Sequence, residues 1–471
     1  MIGPRSGVHD PAANAGSTSR GRWGEPEGES LSSSRVSTHN TSDPTAPRVA
    51  LIDGRRTPFL RSQTEFIDLS TYDLGCAAVA GLLHATRIDP EVVDLLVMGR
   101  VLSDPKTPNL AREVVFGTDL PDACAAHTVS LACVSSLQST LDVARAIQTG
   151  AASVGIAAGA EVLSDAPIRV SRPIRKRLIA SQKARGVGDW LGLLSGLRAR
   201  HLAPEIPAIA EPSTGETMGE NGERLAKRLG ITREAQDELA LASHHAAGRA
   251  MDAGLLQRQI TPVFPPPRCE AVRTDNGVRP DTTLEKLARL SPSFDRRAGT
   301  ISAGNASFLT DGAAAVLLMS EERASELGCE PLAFLKASAV VGLEPYEELL
   351  LGPALSAPRA LAAAGIELAD VGTLEIHEAF AAPVLAALQL FEDEAFCHER
   401  LGRDAPVGTV DRDRLNAWGG SLSVGHPFGA TGARLVTTCL HRMQHEDSRY
   451  GLVTGCASGA IGIALVLERP A

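Results

Sequence analysis

The chain has 471 residues, of which 44% are hydrophobic, 22% charged and only 4% aromatic, so it can bury the cores of about two or three domains, and intrinsic disorder is excluded for most of it. A net charge of −10 excludes the overall basic surface that nucleic-acid binding requires, and no nucleic-acid partner is expected. The longest apolar runs, such as residues 460–467, are far shorter than the ~20 residues that span a bilayer, which predicts a soluble, cytoplasmic protein.

The first 47 residues contain six Gly, five Pro and nine Ser and almost no periodic apolar positions. Such a composition cannot offset the entropy lost on ordering, so we predict a disordered tail over residues 1–47. From Val49 onward, short apolar runs such as VALID and VVDLLVMG alternate with alanine-rich helical stretches. This alternation predicts an α/β protein.

One order of elements occurs twice in the chain. A predicted strand ends near Leu131, Cys133 follows, and then come the helical sequence VSSLQSTLDVARAIQTG and the strand SVGIAAGAE. Much later, a glycine-rich loop around His426 leads into a helix, and the strand GLVTG then leads to Cys456. The repeated order predicts two half-domains of similar architecture.

The stretch between the halves, residues 163–307, interrupts this rhythm with a proline cluster and long helical runs, which predicts an inserted region. Within it, residues 169–200 carry nine Lys or Arg and one acidic residue, Asp189, beside apolar side chains such as Trp190. A solvated helical face and a docking surface both fit this composition, and the sequence does not decide between them.

Cys133 lies at the point where a predicted strand turns into a helix. The partial positive charge of a helix N-terminus favours the thiolate, which is the form that attacks carbonyl groups. His426 lies in GGSLSVGHPFGATGAR, where glycines let the backbone approach a ligand and can hold the imidazole as a base or an oxyanion donor. A structural cysteine and a plain tight turn remain the alternatives. The loop is not a P-loop, because no Gly-Lys-Ser/Thr follows.

Two further motifs can carry chemistry. His377 and Glu378 begin HEAFAAPVLAALQL at the end of the apolar strand VGTLEI, the edge where α/β folds place their sites. A satisfied core histidine and a charge at a helix N-terminus explain this pair equally well. Cys456 lies in VTGCASGAIG, a small-residue loop that would let a substrate reach the thiol. The eight cysteines form no C-x-x-C pair and no metal-ligand spacing joins these residues, so we expect reduced thiols and no metal.

The order of these four motifs resembles the thiolase family over residues 49–469. The loop GHPFGATGAR, the stretch GNASFLTDGAAAVLLMSE and the segment STGETMGE carry the resemblance. His-Glu-Ala-Phe, where many thiolases have Asn-Glu-Ala-Phe, and the long insert resemble the β-subunit type of the trifunctional enzyme of fatty-acid β-oxidation. The family fold is α/β, with two βαβαβαββ half-domains in α-β-α-β-α layers and a mostly helical loop domain that covers coenzyme A. It implies a first half of residues 48–162 with 308–330, a loop domain of 163–307 and a second half of 331–471.

The resemblance also implies a role for each motif. Cys133 matches the nucleophile that becomes acylated, His426 the residue that activates it, and Cys456 the acid/base thiol. His377 matches the position of the first oxyanion hole, which Asn usually fills. The backbone N–H groups of Cys133 and Ser458 match the second hole, where the Ser458 side chain, in place of the usual Gly, would crowd the acyl group. Contacts to the pantetheine arm of coenzyme A fall at Met218, Phe294, Ala303 and Ser307.

The implied activity is the CoA-dependent cleavage of a 3-ketoacyl-CoA to acetyl-CoA and a shortened acyl-CoA, with coenzyme A as co-substrate and no permanently bound cofactor. A decarboxylating ketosynthase would not need Cys456. An acetoacetyl-CoA-forming acetyltransferase and a non-catalytic scaffold subunit remain alternatives. The implied partners are acyl-CoA and CoA, a second copy in a homodimer or dimer of dimers, a hydratase/dehydrogenase α-subunit, and a peripheral membrane contact through residues 169–200.

Overall fold

The computed structural model describes residues 37–40, 46–205 and 210–470 of the chain. Within these ranges the regular structure is a mixed β-sheet with helices, as the α/β prediction requires. No helix in the described ranges is long and apolar enough to cross a membrane. The cytoplasmic location stays a prediction.

Strand β1 (Ser37–Asn40) lies within the predicted disordered tail, residues 1–47, most of which falls outside the described ranges. β1 pairs antiparallel with the later strand β8 (Ala333–Gly342). For these four residues the prediction is wrong. The pairing uses backbone N–H and C=O groups along a part of β8 that no other described strand covers on that side, so it needs no apolar side chains and leaves no trace in composition.

The first half of the fold follows the order βαβαβαββ, apart from the two-residue strand β3. The sheet order is β5-β4-β6-β7-β2, with β4 parallel to both neighbours and β7 antiparallel to both of its own. Every residue of β6 is buried, which is why VGIAAGAE is an unbroken run of mostly small and apolar residues. The strands are β2 (Val49–Arg56), β3 (Leu60–Arg61), β4 (Leu95–Gly99), β5 (Ala125–Val129), β6 (Val154–Glu161) and β7 (Thr310–Ser320), and the helices are α1 (Thr71–Thr86), α2 (Leu110–Phe116) and α3 (Ser135–Gln148).

Between β6 and β7 the structure describes helices and no strand, in agreement with the helical runs predicted for the insert. A capping box between Thr217 and Glu220 begins its third helix, and Gly230, with φ 67, ends it. The bounds of a separate loop domain at residues 163 and 307 stay a prediction. The helices are α4 (Arg172–Ser181), α5 (Val187–Leu194), α6 (Met218–Leu229), α7 (Arg233–Asp252) and α8 (Leu284–Ala288).

The second half begins after a connecting helix, α9 (Glu321–Leu327). Its sheet order is β8-β11-β10-β9, and β10 is parallel to β9 and antiparallel to β11. The strands that follow β8 are β9 (Val371–Ile376), β10 (Tyr450–Ala457) and β11 (Ile461–Glu468), and the helices are α10 (Gly352–Ala364), α11 (Ala381–Glu392), α12 (Glu394–Leu401), α13 (Ser421–Val424) and α14 (Thr431–His445).

The two halves share one topology. We number the strands of each half by their position along the chain, leaving out β3. In both halves the strands then lie side by side in the order first, fifth, fourth and second, which is β2-β7-β6-β4 in one half and β8-β11-β10-β9 in the other. The third strand of the first half is β5, and in the second half an isolated bridge between Leu374 and Leu415 takes its place. The halves join where β2 pairs with β8. The prediction of two similar half-domains is confirmed.

Three hydrophobic clusters sort the helices into layers. One cluster packs α1 and α2 on the first half, and another packs α10 and α11 on the second half. The third holds α3 and α14 between strands of both halves, through side chains such as Leu137 and Val436. The result is the α-β-α-β-α arrangement that the sequence implies.

The central helices α3 and α14 approach each other closely at their N-terminal ends. A Cβ added at Gly432 would lie 2.4 Å from the backbone nitrogen of Leu137, so only glycine fits there. The N–H of Ala433 donates a hydrogen bond to the Ser136 hydroxyl at 2.8 Å. This contact brings together the loops that precede the two helices, and those loops carry Cys133 and His426.

Candidate active site

Cys133 lies in the turn between β5 and α3, just before Val134, the N-cap residue of α3. The turn is tight: Ala132 has φ 45, a left-handed conformation that is uncommon for alanine. The Ser135 hydroxyl accepts a hydrogen bond from the N–H of Leu131 (2.9 Å) and donates one to the Ala132 carbonyl (2.7 Å). These bonds hold Cys133 at the start of a helix, as the sequence predicts.

Two histidines from the second half meet Cys133. His377 directly follows β9, and His426 precedes α14. The Cys133 sulfur and one nitrogen of each imidazole lie within 4.8 Å of one another, and the ring centroids are 4.2 Å apart. Nδ1 of His377 hydrogen-bonds the Ser421 hydroxyl (3.0 Å), and Nδ1 of His426 hydrogen-bonds the Thr431 hydroxyl (2.6 Å). Neither Nε2 has a partner among the described residues, so both are left for a substrate.

The same three atoms are of the types that bind Zn²⁺. The linear sequence gives no sign of this, because the thiol and the two imidazoles come from three separate elements.

Cys456 is the next-to-last residue of β10 and is buried. In the turn that follows it, the Gly459 N–H and the Ser458 hydroxyl donate to the Glu211 carboxylate at 2.7 Å and 3.0 Å. The backbone N–H of Ser458 hydrogen-bonds the Cys133 sulfur. The Ser458 hydroxyl is therefore engaged by Glu211, which differs from the crowding of the acyl site that the sequence suggests.

Three of the expected CoA contacts lie beside the His-Glu-Ala-Phe segment. The ring of Phe294, 38% exposed, packs edge to face on Phe380 at 5.9 Å. The Ser307 hydroxyl donates to the carbonyl of Ala379 at 2.9 Å. Met218 begins α6 and is buried, and the adjoining Gly219 touches the Phe294 ring.

The fourth expected contact, Ala303, lines a separate cavity of about 240 Å³. The Arg61 guanidinium in its wall lies 3.9 Å from the centre of the Phe308 ring. Burial, Arg279 and Arg61 lower the pKa of His244 in the same wall to about 4, so this imidazole is neutral. The cavity wall carries positive charge from Arg61 and Arg279, and its third cation, Lys286, is paired with Asp281 in the same wall.

Residues 49–322 match the family described as "Thiolase, N-terminal domain", and residues 329–469 match "Thiolase, C-terminal domain". The chain belongs to the thiolase family. It is 47% identical over 421 residues to a 3-ketoacyl-CoA thiolase of Pectobacterium carotovorum subsp. carotovorum, covering 89% of this chain and 96% of that protein. It is 44% identical over 425 residues to the human mitochondrial trifunctional enzyme subunit beta, covering 90% and 89%. A crystal structure of human mitochondrial 3-ketoacyl-CoA thiolase in complex with CoA matches with a TM-score of 0.76 at 29% identity, covering 90% of this chain and 98% of that one.

The resting state of this thiolase site is electrically neutral. Burial raises the pKa of the Cys133 thiol to about 12, although its own N–H and that of Ser458 lower it. Burial and the neighbouring Cys133 likewise raise the pKa of Cys456 to about 12. Burial thus opposes the effect expected of the helix N-terminus, and the expectation that this helix favours the thiolate stays a prediction. The Cys133 proton must therefore be taken by a base during the reaction.

The two histidines are suited to that transfer. Burial and Arg434 lower the pKa of His377 to about 3, and burial, His377 and Arg434 hold the pKa of His426 well below its usual value. Both rings are neutral at physiological pH. A neutral imidazole can take a proton through one nitrogen or donate a hydrogen bond through the other.

Several residues of this thiolase site have partners that the sequence does not reveal. Glu378, the neighbour of His377, accepts hydrogen bonds from Asn416, Ser243 and the Leu422 N–H, and so ties the segment after β9 to α7 and to the loop before α14. Glu211 lies in the insert, far along the chain from the turn that it holds. Such partners are separated by long stretches of sequence, and no local spacing could have found them. Arg61, Arg279 and Lys286 likewise belong to no motif, whereas Ser421 and Arg434 lie inside GGSLSVGHPFGATGAR without a role assigned from sequence.

The raised thiol pKa predicts how fast Cys133 is alkylated. Only the thiolate reacts, so the rate of iodoacetamide labelling at Cys133 should rise about tenfold per pH unit from pH 7 to 9. Peptide mass spectrometry of timed samples measures this rate, and Cys133→Ser assigns the labelled peptide. A rate that is already constant near pH 7 would mean that the helix N-terminus outweighs burial after all.

Proposed function

We propose that this protein catalyses CoA-dependent cleavage of 3-ketoacyl-CoA to acetyl-CoA and a shortened acyl-CoA, as in fatty-acid β-oxidation. One observation carries the proposal: the Cys133 sulfur lies within 4.8 Å of two imidazole nitrogens, and each of these rings has an unpartnered Nε2. Cys456 adds a second thiol beside it. The names of the relatives, and the CoA bound to the human thiolase, support the same chemistry.

In the first half-reaction, Nε2 of His426 takes the proton of the Cys133 thiol. The Cys133 thiolate attacks C3 of the substrate, and the backbone N–H groups of Cys133 and Ser458 donate to the oxygen that becomes negative. The C2–C3 bond then breaks, and its electron pair forms the enolate of acetyl-CoA, whose oxygen lies at His377. Cys456 gives its proton to C2, and acetyl-CoA leaves.

In the second half-reaction, the Cys456 thiolate takes the proton of an incoming CoA thiol. The CoA thiolate attacks the acyl group on Cys133, and the Cys133–acyl bond breaks to release the shortened acyl-CoA. The Cys133 thiolate recovers its proton from His426. The same groups serve the reverse condensation, so the ratio of substrates sets the direction.

The cavity lined by Arg61, Arg279 and Lys286 fits the phosphates of CoA, for which fixed positive charges are the natural partners. Lys286 is ion-paired with Asp281 at 2.7 Å, so Arg61 and Arg279 are the cations of this wall that best fit the phosphates. Ala303 lies in the same wall, which supports the pantetheine contact expected there. CoA is a co-substrate in this proposal.

Strand β5 supports the expected homodimer. It lies at the end of the sheet and pairs with β4 alone among the described strands, and its residues Ala125 and His127 are exposed. An unpaired edge strand offers a row of backbone donors and acceptors to a second copy of itself. A dimer of dimers has no comparable support in the described residues.

The division of labour between the two thiols gives a direct kinetic test. Wild-type protein should cleave 3-ketoacyl-CoA in a spectrophotometric thiolysis assay, and Cys456→Ser should lower kcat about 10²- to 10⁴-fold because the acid/base step is lost. Cys133 should still be alkylated in that variant. Binding of CoA without any thiolysis by the wild type, at any chain length, would instead support the non-catalytic scaffold.

Residues 169–200, which contain α4 and α5, form a basic and apolar surface that we call the α4–α5 surface. Several of its apolar side chains are largely exposed to solvent: Ile179 is 67% exposed, Val187 78% and Trp190 54%. Its one acidic side chain, Asp189, is used locally by the N–H groups of residues 185 and 186. Cations beside exposed apolar and indole side chains match an anionic lipid surface, so we propose peripheral membrane contact here.

The α4–α5 surface can be tested by replacing three of its basic residues, of which Arg175 also pairs with Glu205 at 2.9 Å and Arg177 donates to the Ser195 carbonyl at 2.7 Å. Each basic residue near an anionic bilayer contributes about 1 kcal/mol, so replacing Arg175, Lys176 and Arg177 with Ser should weaken binding to phosphatidylserine vesicles about 100-fold. Thiolysis of a short soluble substrate should keep its kcat. Vesicle sedimentation measures the binding.

The matched control removes three exposed cations elsewhere, Lys106, Arg268 and Arg273, and should leave vesicle binding nearly unchanged. Equal losses in both triple variants would mean that net charge alone is sensed. A loss of binding to a hydratase/dehydrogenase subunit with vesicle binding intact would assign the surface to that partner. A raised KM for CoA would indicate electrostatic steering of substrate.

A further inference from the structure

The two histidines beside Cys133 form hydrogen bonds with different hydroxyl groups. Nδ1 of His377 lies 3.0 Å from the Ser421 hydroxyl, whereas Nδ1 of His426 lies 2.6 Å from the Thr431 hydroxyl. With both Nδ1 atoms taken, Nε2 is the atom that each ring offers to the site. Whether Nε2 carries a proton decides whether the ring is a hydrogen-bond donor or a base.

The partners of Ser421 fix the proton on His377. Arg434 Nη2 lies 2.8 Å from the Ser421 oxygen, and a guanidinium can only donate, so Ser421 accepts this bond. The remaining recorded side-chain partner of that hydroxyl, among the described residues, is Nδ1 of His377. Among the described residues, Nδ1 is the one recorded side-chain acceptor for the hydroxyl proton, and with this bond made Nδ1 is unprotonated. In a neutral ring, the proton then lies on Nε2.

Arg434 also keeps the ring neutral. Its guanidinium is buried, and Glu375, also buried, lies 3.7 Å from it but bonds Arg442 more closely, at 2.6 Å. A second positive charge on His377 would lie close to Arg434 in a site with little water to screen it. His377 thus stays a neutral donor rather than an imidazolium.

Thr431 allows the opposite arrangement at His426. Its hydroxyl lies 3.2 Å from the Pro427 carbonyl, which can take the hydroxyl proton. The Thr431 oxygen is then free to accept Nδ1–H from His426. Nε2 of His426 keeps its lone pair, which is the state that a base for the Cys133 thiol needs.

We infer that Ser421 and Arg434 are positioning residues that hold His377 as the Nε2–H tautomer, so that His377 donates to a substrate oxygen while His426 acts as the base. The inference rests on the proposed thiolysis. It also explains how a histidine can serve where many thiolases have asparagine. An asparagine amide always offers N–H, whereas a histidine offers it at Nε2 only in this tautomer.

A double-mutant cycle tests whether Ser421 acts through His377. Ser421→Ala frees Nδ1 to take the proton and should lower kcat about 10- to 100-fold, as mutation of a residue that orients a metal-bound histidine does, with KM for CoA unchanged. In a His377→Asn background the amide donates without help from Ser421, so Ser421→Ala should change kcat less than about twofold. Equal losses in both backgrounds would overturn the inference.

The control is Ser423→Ala in the same loop, whose buried hydroxyl donates to the Gly420 carbonyl and contacts Ser243. Any effect of this variant should be the same in the wild-type and His377→Asn backgrounds. A purely structural role of the loop would make Ser421 behave as Ser423 does.

Nitrogen-15 NMR of the histidine-labelled protein reads the tautomer without any assay, with the His377 signals assigned by their loss in His377→Asn. We expect Nε2 protonated in the wild type and a mixture of tautomers in Ser421→Ala. Nδ1 protonated in the wild type would refute the inference even if thiolysis is normal. A wild type with Nε2 protonated but no thiolysis would leave the tautomer assignment standing and refute the proposed function.

Discussion

The close approach of α3 and α14 between the two sheets is the constraint on which the site depends. Gly432 allows this approach, because a Cβ there would lie 2.4 Å from the backbone of α3. The backbones of Gly429 and Gly159 also approach each other too closely for a Cβ between them. Each helix begins at a reactive loop, one from each half-domain. Packing the helices side by side therefore places Cys133 from one half next to His426 from the other. A fold built from two similar halves can bring a nucleophile and a base together in this way.

Burial is the main determinant of the protonation states of the reacting groups in this site. It keeps both thiols protonated and both imidazoles neutral, so charge arises only when a proton moves during the reaction. The charged side chains lie behind the reacting groups. Arg442 bonds Glu375 at 2.6 Å, and Glu161 accepts the Gly429 N–H at 3.1 Å. These bonds orient the reacting groups, and none of these charged side chains moves next to the nucleophile.

The sequence could predict the features that are local. Cys133, His426 and His377 each stand where a strand or a glycine-rich loop meets a helix, so their positions follow from short patterns and from the order of those patterns. The role of Glu211 could not be predicted, because its partner turn follows Cys456 at the other end of the chain. The effect of burial on the thiol pKa could not be predicted either, since a helix start is visible in a pattern but the depth of burial is not. Strand β1 could not be predicted for a similar reason, because its backbone pairing with β8 leaves no pattern in the composition.

The central claim is that Cys133 carries the acyl group between the two half-reactions. The most direct measurement is peptide mass spectrometry after the full chain has been incubated with a 3-ketoacyl-CoA in the absence of free CoA. Acetyl-CoA can then leave, but no second thiol can release the remaining acyl group. The account predicts an adduct on Cys133 that is two carbons shorter than the substrate chain. An adduct on Cys456 or Cys124, or no adduct at all, would contradict it.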